Sequence, residues 1–168
     1  HVALTEKDKD FPAIVIWAES KNGTIIETLF LNEELAFSDR PVWDGKVTPR
    51  HHIFPIWRHR YTSIVGVSPD GEVDAASGAT SDHQFSLDSH LSSEGGPFTI
   101  FIEINASGDA DDSSQDSHIG QPSILYSAYI EPQENKKYYL MDLTGQGADA
   151  TKDGAINYAI ETIGSAKD

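Results

Sequence analysis

Residues 98–104, Phe-Thr-Ile-Phe-Ile-Glu-Ile, constrain this chain most. Apolar and β-branched residues alternate there with period two, after the turn signal Glu94-Gly95-Gly96-Pro97. The pattern predicts a central β-strand with Phe98, Ile100, Ile102 and Ile104 on one face and Thr99, Phe101 and Glu103 on the other. Such a strand needs partners. The strongest hairpin signal is residues 13–18 and 24–30, two β-branched runs joined across Lys21-Asn22-Gly23. Residues 61–67 read as a strand ahead of a Pro69-Asp70-Gly71 turn. Residues 83–88 alternate, and 123–131 with 137–143 form another antiparallel pair. Residues 155–163 close the chain as a strand or short helix, and 31–37 have the makings of one helical turn. The expected total is roughly seven to nine short strands with turn signals between them, the pattern of an all-β, antiparallel sandwich.

Three stretches fall outside this pattern. Residues 1–12 are a polar, extended lead-in. Residues 38–60 hold Pro41, Pro49 and Pro55, with Trp43, Trp57, Phe54, His51, His52 and His59, and Arg40, Arg50, Arg58 and Arg60. That proline density argues against a regular helix or central strand, so the stretch is expected to cap the core or form a binding surface. Residues 107–120 form an acidic, Ser-rich loop. No repeat or linker divides the 168 residues, which are expected to form a single domain.

The formal charge is −15, from 27 acidic and 12 basic residues. So acidic a surface disfavours nucleic acids and anionic membranes, since few cations are present to displace phosphate counterions. The absence of Cys excludes disulfides, thiol nucleophiles and Cys-based metal sites. No apolar run approaches a membrane span. The chain starts at His1 rather than Met, and with its few basic residues and no thiol the expectation is export, with a signal peptide removed ahead of His1.

Residues 74–80, Asp-Ala-Ala-Ser-Gly-Ala-Thr, have the pattern that bacterial flavin transferases use as an acceptor, with the Thr hydroxyl esterified to the phosphate of FMN. Ser77, Gly78 and Ala79 are small enough to let a bulky enzyme and nucleotide approach the backbone at Thr80. Asp74 can help hold the Mg²⁺ that neutralises phosphate charge during transfer. The alternative is a structural β-turn with Gly78 at positive φ and a local Asp74 hydrogen bond. In the flavin reading, Trp57 or Phe85 would stack on the isoalloxazine, and Arg58 or Arg60 would stabilise the reduced anion.

The order of features resembles an uncharacterised, predicted-periplasmic bacterial family, domain of unknown function 2271. The likeness is carried by residues 14–30, by Pro55-Ile56-Trp57-Arg58 with residues 74–80, by residues 96–103, and by Gly120-Gln121-Pro122-Ser123 and Thr144-Gly145-Gln146-Gly147. It implies an immunoglobulin-like sandwich, export, and an association with flavin transferases and membrane redox proteins. It implies no catalytic activity. The 38–55 loop and the 107–118 insertion depart from the family.

Metal sites are the remaining candidates. A free amino-terminal His1 can chelate copper through its amine and imidazole, with His52 or His118 as a further ligand. Asp109, Asp111, Asp112 and Asp116 crowd one loop and Asp149 and Asp153 another, a composition that suits calcium, although neither has EF-hand spacing. No hydrolase, zincin or Walker motif occurs, so no enzymatic activity is expected. The leading expectation is an exported accessory protein of extracytoplasmic redox systems, working with a flavin transferase or redox partner. The alternatives are a copper- or calcium-binding periplasmic protein, and a self-assembling extracellular subunit whose lead-in adds to a neighbour's sheet edge.

Overall fold

The computed structural model describes residues 2–3, 12–37, 42–43, 46–47, 53–69, 73–77, 84–85, 87–91, 96–105, 123–132 and 138–146. In chain order the elements are β1 (Val2–Ala3), β2 (Ala13–Ser20), β3 (Ile26–Leu31), α1 (Glu33–Phe37), β4 (Val42–Trp43), β5 (Lys46–Val47), α2 (Pro55–Val65), β6 (Ala76–Ser77), β7 (Gln84–Phe85), β8 (Phe98–Asn105), β9 (Ile124–Ile130) and β10 (Asp142–Gln146). One six-stranded sheet runs β10-β9-β8-β2-β3-β6. Its first five strands are antiparallel neighbours, and β6 adds in parallel to β3. Two small antiparallel pairs, β1 with β7 and β4 with β5, stand apart from it.

The alternation in β8 places that strand inside the sheet, between β2 and β9, as its period predicts. The 13–30 hairpin also forms as expected. Its turn closes with the Gly23 amide donating to the Ser20 carbonyl at 2.8 Å, and Gly23 takes a φ of 66°, where a side chain would be strained. The register between β2 and β3 slips at Ile16/Trp17, so that Leu29 has no direct partner. This extra residue lets Leu29 and Phe30 both join one face of the sheet while Leu31 stays on the other.

Both faces are covered. On one, Ala13, Val15, Trp17, Leu31 and Leu125 pack under Ala36 of α1 and under Ile53, Phe54, Ile56 and Trp57. On the other, Ile14, Ile16, Ala18, Leu29, Phe30 and Ile102 pack with Leu87, Leu91, Tyr126 and Met141. Asn32 ends β3 by accepting the Ile14 amide on its side-chain oxygen at 2.6 Å, and its carbonyl receives the Ala36 amide that starts α1.

Four sequence expectations need correction. Residues 55–65 are neither irregular nor a strand but the helix α2. Pro55 occupies its first turn, where no amide donor is needed, so the proline that argues against a helix interior starts this one. The β-branched Thr62, Ile64 and Val65 that suggest a strand sit on its exposed or partly exposed second half, where propensity is a weak force. Of the strand expected at 83–88, Gln84–Phe85 form β7 while Leu87 and Asp88 belong to no strand. The one expected at 137–143 forms later, at Asp142–Gln146, with a register shift between Leu143 and Gly145. Within 74–80, Ala76 and Ser77 belong to a strand rather than a turn. The 107–120 loop, residues 155–163 and most of the 1–12 lead-in lie outside the described residues.

Helix α2 stops at Gly66, whose φ of 85° is left-handed and whose amide donates to the Thr62 carbonyl at 2.9 Å. A Cβ built there meets nothing within 4 Å, so only backbone strain opposes a side chain. Gly66→Ala is therefore expected to lower stability by about 1 kcal/mol. Urea denaturation would record this as a lower midpoint at unchanged slope.

Candidate functional site

Two arrangements carry the chemistry of the described residues. The first is buried. Glu103 lies on β8 with its side chain on the face covered by α2, and it is fully inaccessible to solvent. Its Oε1 accepts the Ile56 amide at 3.1 Å and the Ser123 hydroxyl at 2.5 Å, and its Oε2 accepts the Trp57 amide at 2.8 Å. These two amides are among the first donors of α2, which have no partner inside the helix. The carboxylate thus caps the helix from a strand that lies 47 residues away in sequence. Phe54, at the cap position itself, makes no side-chain hydrogen bond to the helix.

Burial pushes Glu103 from its ordinary 4.5 up to about 7, against the downward pull of the Ser123 hydroxyl and of the Trp57 and Ile56 amides. Ser123 can both donate and accept, so its hydroxyl can donate to the carboxylate and can accept a hydrogen bond from the O–H of the neutral acid.

Around this centre the other buried polar groups are also paired. Asn105 donates its side-chain amide to the Ile53 carbonyl at 2.7 Å, which fixes the entry to α2. Trp57 donates its indole N–H to Thr28 Oγ1 at 3.0 Å. Further along the same face, Glu19 is also buried. It accepts the Trp17 indole N–H at 2.9 Å and forms an ion pair with the half-exposed Arg60. Trp17 stacks on Phe101, with ring centroids 5.2 Å apart.

The second arrangement is at the sheet edge. Residues 73–77 run out to β6, where Ala76 and Ser77 pair with Phe30 and Leu31. Val73 and Ala75 turn inward against the α2-side core, while Asp74 and Ala76 are exposed. Ala76 and the backbone of Ser77 thus form the outer edge of the sheet, and the exposed Asp74 lies in the bend that leads into it. Gly78, Ala79 and Thr80 lie outside the described residues.

The partners expected for a flavin are placed differently. Trp57 is wholly buried in the core, pinned by Thr28 and packed against Phe37 and Tyr61, so it has no free face to stack on a ligand. Arg60 is held by Glu19, and Arg58 donates to the Ala36 carbonyl at 2.5 Å and to Ser68 Oγ at 3.4 Å. Both guanidiniums are therefore engaged in anchoring α2. Phe85 is placed only through its backbone pairing with Val2.

Of the metal candidates, His1, His52, His118 and the aspartates of both acidic loops lie outside the described residues. Among the described residues no cluster of three or more His, Asp or Glu could hold a metal ion, and no helix is long and apolar enough to cross a membrane.

Sequence reasoning placed Glu103 on the correct face of its strand but gave it no role. The signal was available in its position: a carboxylate in the middle of the most apolar strand, which burial leaves in need of donors. Which donors it finds was not readable locally.

Comparisons with protein-family models, with curated proteins and with solved structures found no match for this chain.

Proposed function

We propose that this protein is a non-enzymatic, exported accessory protein of extracytoplasmic redox systems that carries FMN as a phosphoester on Thr80. The observation that carries the reading is the 73–77 edge. Its inward residues tie it to the core, while Asp74 and the small Ala76 are open to solvent. A transferase needs access to an acceptor segment held on a firm base, and the edge strand just ahead of that segment, with exposed Asp74 and Ala76, supports this reading. Asp74 would hold Mg²⁺ during transfer, and Ser77, Gly78 and Ala79 would leave room for the nucleotide. Once attached, FMN would supply one- or two-electron transfer. The residues that bear on its electronics are not Trp57, Arg58 or Arg60, whose contacts are internal.

The non-enzymatic part of the reading has support in the two buried carboxylates. Glu103 holds the start of α2, and Glu19 holds Arg60 and Trp17, so both have structural employment. The immunoglobulin-like sandwich and membership of the resembling family belong to the same proposal. Their support is the antiparallel order with β8 inside the sheet, and α2 on one face is a departure they must accommodate.

The test is the intact mass of the full chain incubated with a flavin transferase, FAD and Mg²⁺. The expected product is heavier by one FMN less one water and yellow, and Thr80→Val stays unmodified and colourless. An unchanged wild-type mass, or modification that survives Thr80→Val, would overturn the assignment.

A further inference from the structure

Two Asn-x-Ser/Thr sequences occur in the chain, Asn22-Gly23-Thr24 and Asn105-Ala106-Ser107. Their asparagines have opposite environments. Asn22 sits at the tip of the β2–β3 hairpin and is exposed. Its side-chain oxygen accepts two hydroxyls, Ser20 Oγ and Thr24 Oγ1, each at 2.8 Å. Both lone pairs of that oxygen are thereby used, which fixes the amide plane. Among the described residues, its Nδ2 donates to nothing. Asn105 is buried at 3 % exposure, and its Nδ2 donates to the Ile53 carbonyl at 2.7 Å.

The turn around Asn22 is held independently of that amide. Ser20 Oγ also accepts the Thr24 and Ile25 amides, at 3.2 and 3.0 Å. The Gly23 amide closes onto the Ser20 carbonyl, and the Ser20 amide donates to the Ile25 carbonyl at 3.0 Å. A bulky group on Nδ2 would therefore displace no hydrogen bond and would project from a hairpin end.

We propose that Asn22 is an acceptor for N-linked glycan and that Asn105 is not. The donor class is an oligosaccharide on a polyprenyl diphosphate. A bond forms between Asn22 Nδ2 and the anomeric carbon, and the bond from that carbon to the diphosphate oxygen breaks. The polyprenyl diphosphate leaves, and one Nδ2 proton passes to a base of the transferase. Hydroxyl donation from Thr24 and Ser20 draws electron density to the amide oxygen and makes that proton easier to lose. Thr24 is also the hydroxyl that defines an acceptor sequence. The same transfer at Asn105 would break its bond to Ile53 and force a sugar into the core beside the start of α2.

The proposal rests on the export reading, because this transfer takes place outside the cytoplasm. The experiment separates the two. The full chain is directed by a heterologous secretion leader through a pathway that performs N-linked transfer. The folded product is then mapped by peptide mass spectrometry after enzymatic deglycosylation in H₂¹⁸O. The expected result is an ¹⁸O-labelled aspartate at position 22 and unlabelled asparagine at 105. Asn22→Gln and Thr24→Ala should each lose the glycan while keeping the wild-type circular dichroism. An unlabelled position 22 in secreted, folded protein would overturn the proposal, as would a label at position 105. Whether the native protein is exported is read separately, from protease accessibility in its source cells, and leaves the Asn22 result unaffected.

Discussion

Trp57→Ala is expected to lower the free energy of unfolding by about 4 kcal/mol, the cost of removing a large aromatic from a packed core. Trp57 has no solvent-exposed surface and joins the elements over the α2 side of the sheet. Its ring meets Phe37 of α1 edge-on and Tyr61 of α2 at a tilt, with centroids 6.3 and 5.7 Å away. Its indole N–H reaches Thr28 on β3. Truncation would leave a cavity among these groups and deprive the buried Thr28 hydroxyl of its donor. Trp57→Phe separates the two effects. It keeps much of the packing and loses the hydrogen bond, so about 1–2 kcal/mol is expected. Urea unfolding followed by circular dichroism would rank the two variants, and equal losses would contradict the role assigned to the ring. Because Trp57 is core, its loss should act on stability and not on any modification of Thr80.

Glu103→Leu is expected to cost about 3 kcal/mol at neutral pH. The Ile56 and Trp57 amides and the Ser123 hydroxyl would lose their acceptor inside the protein, at about 1–3 kcal/mol for each buried group left unmade, and removal of a buried charge would offset part of that. Hydrogen exchange at Ile56 and Trp57 should accelerate more than exchange in β2 or β8. Glu103→Gln keeps the shape and one acceptor oxygen but sets its NH2 against one of these buried donors, so it should cost less than Glu103→Leu while removing the titrating group. The sign of the pH effect follows from the raised value. Between 4.5 and about 7 the folded protein holds a proton on Glu103 that the unfolded chain has released. The folded state is thus favoured most by this group at low pH, and the advantage is lost as pH rises through that window. The difference in stability between wild type and Glu103→Gln should therefore move against the wild type by about 3 kcal/mol from pH 4.5 to pH 8. A difference that stays flat across this range would contradict the assignment.

What could be read from the sequence was local. The period of β8 and the Asn22-Gly23 turn depend on neighbouring residues, and both are realised. Helix α2 is not legible in the local sequence because its anchor is not local. The capping carboxylate comes from β8, and the guanidiniums of Arg58 and Arg60 bind α1 and β2. Those tertiary bonds outweigh the β-branched residues of its second half. The same contacts explain why Trp57, Arg58 and Arg60 looked available for a ligand: nothing in residues 55–60 signals partners on other elements. The slip at Leu29 was equally hidden, since an extra residue in a strand has no signature when both faces are apolar. At the acceptor segment the small residues suggest exposure, and Asp74 and Ala76 are exposed, but the place of Ala76 on a sheet edge comes only from the pairing of β6 with β3.

A buried carboxyl on β8 receives the first turn of α2. Infrared titration of the full chain with ¹³C-labelled glutamate tests this directly. One protonated carboxyl band should persist well above the range of the surface glutamates, disappear with a midpoint near pH 7, and be absent from Glu103→Gln. Loss of every glutamate carboxyl band near the ordinary 4.5, with no difference between wild type and Glu103→Gln, would contradict it.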